Sequence, residues 1–204
     1  MLIIGLTGSI GMGKTTAAAR FRHNGIAVFD ADAAVHELYR GEAVGLIEAA
    51  FPGTTGPDGV DRQKLSAALM GDPVGFKRLE AIVHPLVRDK ERQFLHEENA
   101  RGARMAVLEV PLLLETRGDA LVDVVVVVSA SAETQRRRVL DRPGMTEAKL
   151  AEILKRQMPD EEKRRRAHFV VDTNGSIAET EATIDDIVSE LMRRKGTAFA
   201  RHWS

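Results

Sequence analysis

The chain has 204 residues, a length that suits one domain, or one domain with insertions, when roughly 100–200 residues per domain is usual. Its 44% apolar and 29% charged residues exclude a disordered or low-complexity chain. With no cysteine, disulfides, thiolate nucleophiles, iron–sulfur clusters and cysteine zinc sites are excluded too. The 29 basic and 30 acidic residues leave a net charge of −1, which argues against a general binder of nucleic acid or membranes. No apolar run approaches the ~18 residues that cross a bilayer, and Met1–Gly5 carries no basic region or cleavage site of a signal peptide. The expectation is a soluble, cytoplasmic chain, monomeric by default.

Leu2–Leu6 reads as a buried strand, Thr7–Lys14 as a glycine-rich turn, and Thr15–Asn24 as a helix stopped by Gly25. Ile26–Phe29 is a second short strand, ending in Asp30-Ala31-Asp32, so the first thirty residues form a βαβ unit. From Ala33 to Gly102 the chain turns mostly helical, with breaks at Phe51-Pro52-Gly53, Gly56–Gly59 and Asp72-Pro73. Phe76, Leu79, Ile82, Val83, Leu86, Val87 and Phe94 recur at helical spacing over Val74–Asn99, and Pro85 is expected to kink or split that helix.

Strand character returns at Met105–Leu108 and at Val122–Val128, whose five consecutive valines suit a strand buried on both faces of a parallel sheet. Ser131–Asp141 and Thr146–Met158 read as helices around Arg142-Pro143-Gly144. Phe169–Val171 is a last strand, Ile177–Arg194 a last amphipathic helix, and Gly196–Ser204 a frayed tail. The alternation predicts an α/β fold in three layers around a five-stranded parallel sheet. Its core falls at about residues 1–36, 104–135 and 167–195, with a helical insertion at 37–103 and a helical lid at 136–166.

Gly8-Ser9-Ile10-Gly11-Met12-Gly13-Lys14-Thr15 fits G-x-x-x-x-G-K-[ST] at every required position. Backbone N–H groups must curl around a phosphate, which glycine allows by entering positive φ and leaving room for close approach. The helix that follows points its positive end at the same anion. Lys14 then reaches the β- and γ-phosphates, and the Thr15 hydroxyl is a ligand for Mg²⁺. The loop alone leaves kinase, GTPase, motor and switch open. Asp172-Thr173-Asn174-Gly175 matches a GTPase Asp-x-x-Gly, but it falls late and no Lys-x-Asp follows. A motor's strand ending in an acidic pair is also missing. Arginine is the preferred cation, 21 residues against 8 lysines, and Arg136–Arg166 holds 11 basic against 6 acidic residues. Arginine's planar fork matches phosphate oxygens in pairs. A helical insertion that grips an acceptor, with an arginine-rich lid over the phosphates, suits a small-molecule kinase.

The order of motifs sharpens this. Leu6–Thr16, Asp30-Ala31-Asp32, His84-Pro85-Leu86-Val87-Arg88, Pro111–Glu115, Thr134-Gln135 with Arg138 and Arg142, Arg156-Gln157, and Asn174-Gly175 follow one another along most of the chain. In that sequence of motifs the chain resembles the dephospho-CoA kinases, P-loop kinases that phosphorylate the ribose 3′-hydroxyl of dephospho-CoA with ATP in the last step of coenzyme A synthesis. Ser9 and Met12 stand where the family more often has glycine and serine, and Thr15 where it has serine. None of these changes removes a required donor.

The resemblance implies that Asp32 is base or orienter of the acceptor hydroxyl. The structural alternative is an N-cap for the next helix, a role that Asp30 can also fill. Lys14, Arg138 and Arg142 complete the expected catalytic set. Arg138 and Arg142 are four residues apart and share one helix face, whereas Arg136, Arg137 and the Lys163–Arg166 run read as solvated. Gly8–Thr16 are expected to hold ATP, with Asn174 and Gly175 lining the adenine pocket or forming a turn. His84 and Arg88 are expected on dephospho-CoA. Glu109 ends a strand where related folds place an acid near the Mg²⁺ water shell, and Glu115 follows a run that otherwise reads as core. A kinase of another nucleotide-like acceptor, or a non-catalytic ATP switch, are the alternatives.

Overall fold

The computed structural model describes residues 1–204 and opens with the expected β-α-β run: β1 (Leu2–Thr7), α1 (Lys14–His23) and β2 (Ala27–Asp30). After α2 (Ala31–Leu38) and α3 (Ala43–Ala50) comes a two-residue-per-strand hairpin, β3 (Thr55–Gly56) and β4 (Gly59–Val60). Then follow α4 (Arg62–Ala68), the long α5 (Pro73–Ala100), β5 (Met105–Glu109) and β6 (Val124–Ser129). The chain continues through α6 (Ala132–Leu140), α7 (Glu147–Arg156), α8 (Asp160–Arg166), β7 (Phe169–Asp172) and α9 (Ile177–Leu191). No helix is long and apolar enough to cross a membrane.

The chain divides into two compact units, Met1–Phe29 with Leu95–Ser204, and Asp30–Phe94. In the larger unit the strands form one five-stranded sheet in the order β2-β5-β1-β6-β7. β1 runs parallel to both neighbours, pairing Leu2 with Met105 and Leu6 with Val126. The valine run sits where its composition demands. Val124, Val126 and Val128 pack with Leu2, Ile4 and Leu6 against Ala17, Ala18 and Phe21 of α1 and Ile184, Ile187 and Leu191 of α9. Val125 and Val127 point the other way, onto Leu113, Leu114, Met158 and Ala167. A strand with apolar side chains on both faces needs cover on both: α1 and α9 supply one, and the turn at 111–117 with the chain at the ends of α7 and α8 supplies the other.

Helix α1 is also tied to α9 by charge. Arg20 donates to both oxygens of Asp185, at 2.8 and 2.5 Å, and Asn24 donates to the same carboxylate at 2.7 Å. These hydrogen bonds hold the Asp185 carboxyl at about 2, below its ordinary 3.8. A carboxylate depressed in the fold contributes fully above its unfolded value, so this tie holds at neutral and mildly acidic pH. It is lost only as pH falls through about 2.

The smaller unit has its own core of Leu38, Ala43, Ile47, Phe51, Leu65, Leu69 and Val83. The apolar stripe of α5 (Phe76, Leu79, Ile82, Leu86 and Val87) packs against it. Glu48 braces the hairpin by accepting from the Gly53 and Thr55 N–H groups at 2.7 and 3.1 Å. Those contacts, with the Thr55 hydroxyl, lower its carboxyl below the usual range. Pro85 does not split α5, which runs unbroken from Pro73 to Ala100. Pro85 lacks only its own bond to the carbonyl of Ala81, and both residues are exposed, so water can serve that oxygen.

The tail is a second correction, for residues 196–204 are folded. Asp123 accepts from Ile3 N through one oxygen at 2.8 Å, and from Thr197 N and Ala198 N through the other at 2.6 and 2.8 Å. A π-helical turn, Phe199–Trp203, then buries Trp203 to 1% exposure, its indole N–H donating to Leu121 O at 2.8 Å. Gly196 crosses so close to β1 that a Cβ there would lie 2.3 Å from Leu2 Cα. Two large side chains in nine residues make no periodic pattern, which is why the tail reads as frayed from sequence. Trp203 is the only tryptophan. Its emission in the native protein is expected to be that of a buried indole, moving to the red only on unfolding. A water-exposed emission maximum under native conditions would refute the folded tail.

Candidate active site: the phosphate loop and the segments that reach it

The loop Gly8–Thr15 leaves the C-terminal end of β1 and enters α1. Each of its three glycines answers a local demand. A Cβ on Gly8 would lie 2.4 Å from Val128 Cγ2 and 2.6 Å from Val128 O. Gly11 and Gly13 have φ of 77° and 90°, where a side chain is strained whatever the space. Gly13 caps α1 without a side chain, and the first turn carries no acidic residue. No hydrogen bond within the protein uses the N–H of Gly11, Gly13 or Thr15. The loop therefore gathers backbone donors at a helix N-terminus, the arrangement that receives phosphate.

The remaining loop residues serve its shape. Ser9 and Met12 are buried, and the Met12 sulfur accepts from Ala130 N at 3.0 Å. Met12 thus anchors the loop to the end of β6 and takes its place in the core. Ile10 is gripped on both sides: its N–H donates to Gln157 Oε1 at 3.1 Å, and its carbonyl accepts from Gln135 Nε2 at 2.8 Å. Lys14 and Thr16 are partly buried in the first turn of α1, and Thr15 is exposed there.

Arg138 and Arg142 part company. The Arg138 guanidinium donates to the Thr173 carbonyl at 2.5 Å and the Thr173 hydroxyl at 3.0 Å, and lies 3.5 Å from the Gly11 carbonyl. Thr173 in turn donates to Met12 O at 2.9 Å. Arg138 therefore braces the outer wall of the loop against the end of β7. Arg142 is exposed on the α6–α7 turn, and its guanidinium makes no hydrogen bond or ion pair. Arg136 pairs with Glu147 in the open, as a solvated residue does.

Asn174 and Gly175 form a turn after β7. Asp172 Oδ1 accepts from the Asn174 backbone and side-chain nitrogens at 2.8 and 2.7 Å, and Asn174 Oδ1 accepts from Ser131 N at 2.8 Å. The Asn174 carboxamide is committed to joining two loops. Any contact with a base would come from the backbone.

Lys163 is a further correction. Expected on a solvated face, it is fully buried and pairs with Glu115 Oε1 at 2.8 Å while donating to Pro111 O at 3.2 Å. Glu115 Oε1 also accepts from Met158 N at 2.8 Å, and Thr7 Oγ1 donates to Pro111 O at 3.0 Å. Asp160, beside this pair on α8, accepts from Ser129 Oγ at 2.6 Å. The root of α8 is thus fastened to the ends of β1 and β6 by polar contacts behind the phosphate loop. A charge-run reading assigns Lys163 to solvent because it counts charges along the chain and has no view of the acid across the fold.

In the smaller unit, Asp30 Oδ1 accepts from Ala33 N at 3.0 Å, so Asp30 is the N-cap of α2. The N-cap of α2 is thus Asp30 and not Asp32, which stands exposed in the first turn. His84 and Arg88 lie one turn apart on α5, His84 exposed and Arg88 paired with Glu91 Oε2 at 2.9 Å. Burial pushes the Glu91 carboxyl up, and Arg88 partly offsets it.

The chain matches the dephospho-CoA kinase family model over residues 2–179. The chain belongs to the dephospho-CoA kinase family. A dephospho-CoA kinase of Mesorhizobium japonicum is 54% identical over 197 residues, covering 97% of this chain and 100% of the relative. One of Rhizobium etli is 57% identical over 194 residues, covering 95% and 96%. Among solved structures, a Thermus thermophilus protein aligns with a TM-score of 0.80 at 36% identity, covering 93% of this chain and 97% of its own. The dephospho-CoA kinase of Campylobacter jejuni, at 21% identity and a TM-score of 0.63 over 93% and 96%, shares the fold. The three-layer arrangement with its parallel sheet is therefore that of P-loop kinases.

Proposed function

We propose that this chain transfers the γ-phosphoryl group of ATP to the ribose 3′-hydroxyl of dephospho-CoA, giving coenzyme A and ADP. The observation that carries the reading is family membership over nearly the whole chain, on a phosphate loop whose backbone donors stand at a helix N-terminus. In the transfer, the acceptor oxygen bonds to phosphorus as the bond to the β–γ bridging oxygen breaks, and ADP leaves. Phosphoryl transfer depends mainly on positioning and charge neutralisation.

Asp32 is proposed to align the acceptor hydroxyl and receive its proton, supported by its place after β2 and by Asp30 taking the cap. Lys14 would neutralise the β- and γ-phosphates, and Arg142, which nothing in the protein engages, would meet the migrating phosphoryl group from a lid at about 136–166. Arg138 would act by holding the loop. Gly8, Gly11 and Gly13 with Lys14, Thr15 and Thr16 would bind the nucleotide phosphates, with the Asn174-Gly175 backbone beside the base. His84 and Arg88 would bind dephospho-CoA, Arg88 at its pyrophosphate. Thr15 supplies the hard oxygen that Mg²⁺ takes, and no group of three acidic or imidazole side chains forms a cage for a metal. A Mg²⁺ ion held there by Thr15 and the nucleotide would neutralise phosphate charge. A cytoplasmic monomer is proposed, in keeping with the absence of cysteine.

The test is ADP release from ATP and Mg²⁺ with dephospho-CoA, AMP, adenosine or water as acceptor, each product identified by mass. The expected result is turnover stimulated by dephospho-CoA alone, with coenzyme A as product. Better turnover with AMP or adenosine would reassign the acceptor, and none above water would leave an ATP-binding switch.

A further inference from the structure

Gln157 touches the phosphate loop with hydrogen-bonding capacity to spare. Gln157 ends α7, and its Oε1 accepts from the Ile10 N–H at 3.1 Å. A carboxamide has one acceptor oxygen and two N–H donors on the same carbon. With the oxygen fixed on Ile10, the nitrogen is held beside the loop as well, and it makes no hydrogen bond within the protein. The peptide it grips is rigid, because Gln135 Nε2 holds the Ile10 carbonyl at 2.8 Å from the other side.

The residue that presents this amide is fastened too. Met158, next in sequence, donates its N–H to Glu115 Oε1, and Glu115 is paired with the buried Lys163. Gln157 is therefore displayed from an anchored root, unlike Arg142 on its exposed turn. Donors fixed at a loop whose other unspent groups are N–H donors call for an anion. The backbone N–H groups of such a loop cradle the inner phosphates and Lys14 reaches on to the β- and γ-phosphates, so the terminal phosphoryl group takes its donors mainly from side chains around the loop.

We propose that Gln157 is a substrate-contacting residue that donates its Nε2 hydrogens to the terminal phosphoryl group of ATP while its Oε1 keeps the Ile10 peptide in register. The proposal rests on the reading that this loop holds ATP for phosphoryl transfer.

Gln157→Glu tests it. Glutamate keeps an acceptor for the Ile10 N–H, so a role confined to shaping the loop survives the change. It replaces both donors by a second oxygen, which a phosphoryl group repels. We expect ATP affinity, measured by calorimetry on the full chain, to fall on the order of 10–100-fold, the scale of a charge-assisted hydrogen bond. ADP affinity is expected to stay within about threefold, because ADP lacks the group contacted. Gln157→Met, of similar size but with no donor and only a weak thioether acceptor, is expected to weaken ATP at least as much and ADP in addition, because it also loosens the hold on the Ile10 N–H. Should Gln157→Glu weaken ATP and ADP alike, or weaken neither, the proposal is wrong and Gln157 only shapes the loop. Failure of the parent chain to bind ATP would instead overturn the functional reading beneath it.

Discussion

Asp32→Asn is expected to lower kcat by about 10²–10⁴-fold, the range for removing a positioned group that accepts a proton in the transition state. ATP affinity is expected to stay within about twofold. The substitution keeps size and hydrogen-bonding reach while removing the negative charge, so it separates chemistry from folding. The cap of α2 is unaffected, because Asp30 supplies it. Steady-state turnover with dephospho-CoA and calorimetric titration with ATP together check the split. Turnover near that of the parent would remove Asp32 from the catalytic set, and a parallel loss of ATP affinity would make its role structural.

The second large effect is on stability. Lys163→Met would leave the Glu115 carboxylate buried with a single donor, Met158 N–H. Breaking a buried ion pair from one side costs about 3–5 kcal/mol, because the remaining charge is uncompensated. For a chain of this size that is a fall of roughly 6–20 °C in Tm. The double variant Lys163→Met with Glu115→Gln is expected to recover a large part of the loss, since it removes the stranded charge. Thermal melts followed by circular dichroism decide between them. A single variant that melts with the parent would mean that the pair contributes nothing net, and a double variant no better than the single would point to lost packing of the lysine stem.

Sequence was informative where chemistry is local. The phosphate loop is eight consecutive residues whose types follow from backbone geometry, so Gly8, Gly11 and Gly13 could be placed before any fold was known. The valine run of β6 and the apolar stripe of α5 were equally readable, because burial on two faces and burial on one leave different periods. What escaped was set by partners distant in the chain. Lys163 looks solvated among arginines until Glu115 is brought to it, and Arg138 shows which helix face it shares but not that Thr173 will occupy its fork. Gln157 carries no charge and no periodic signal, so only the resemblance singled it out, without a role. Trp203 is the lone tryptophan, and its burial depends on Asp123 and Leu121 receiving the tail.

The position of β1 in the sheet bears on the order in which this chain can acquire its site. β1 precedes the other strands along the chain, yet it lies between β5 and β6, whose residues follow roughly a hundred positions later. During synthesis the apolar segment Leu2–Leu6 has no sheet partner until β5 emerges, and Gly8 has no wall until Val128 does. Long-range pairing of this kind is slow to form and exposes sticky surface in the meantime. The nascent chain thus carries its nucleotide loop long before it can shape it, and nucleotide cannot assist the earliest folding steps. Shielding of the first strand, by helix α1 or by a chaperone, has to bridge that interval.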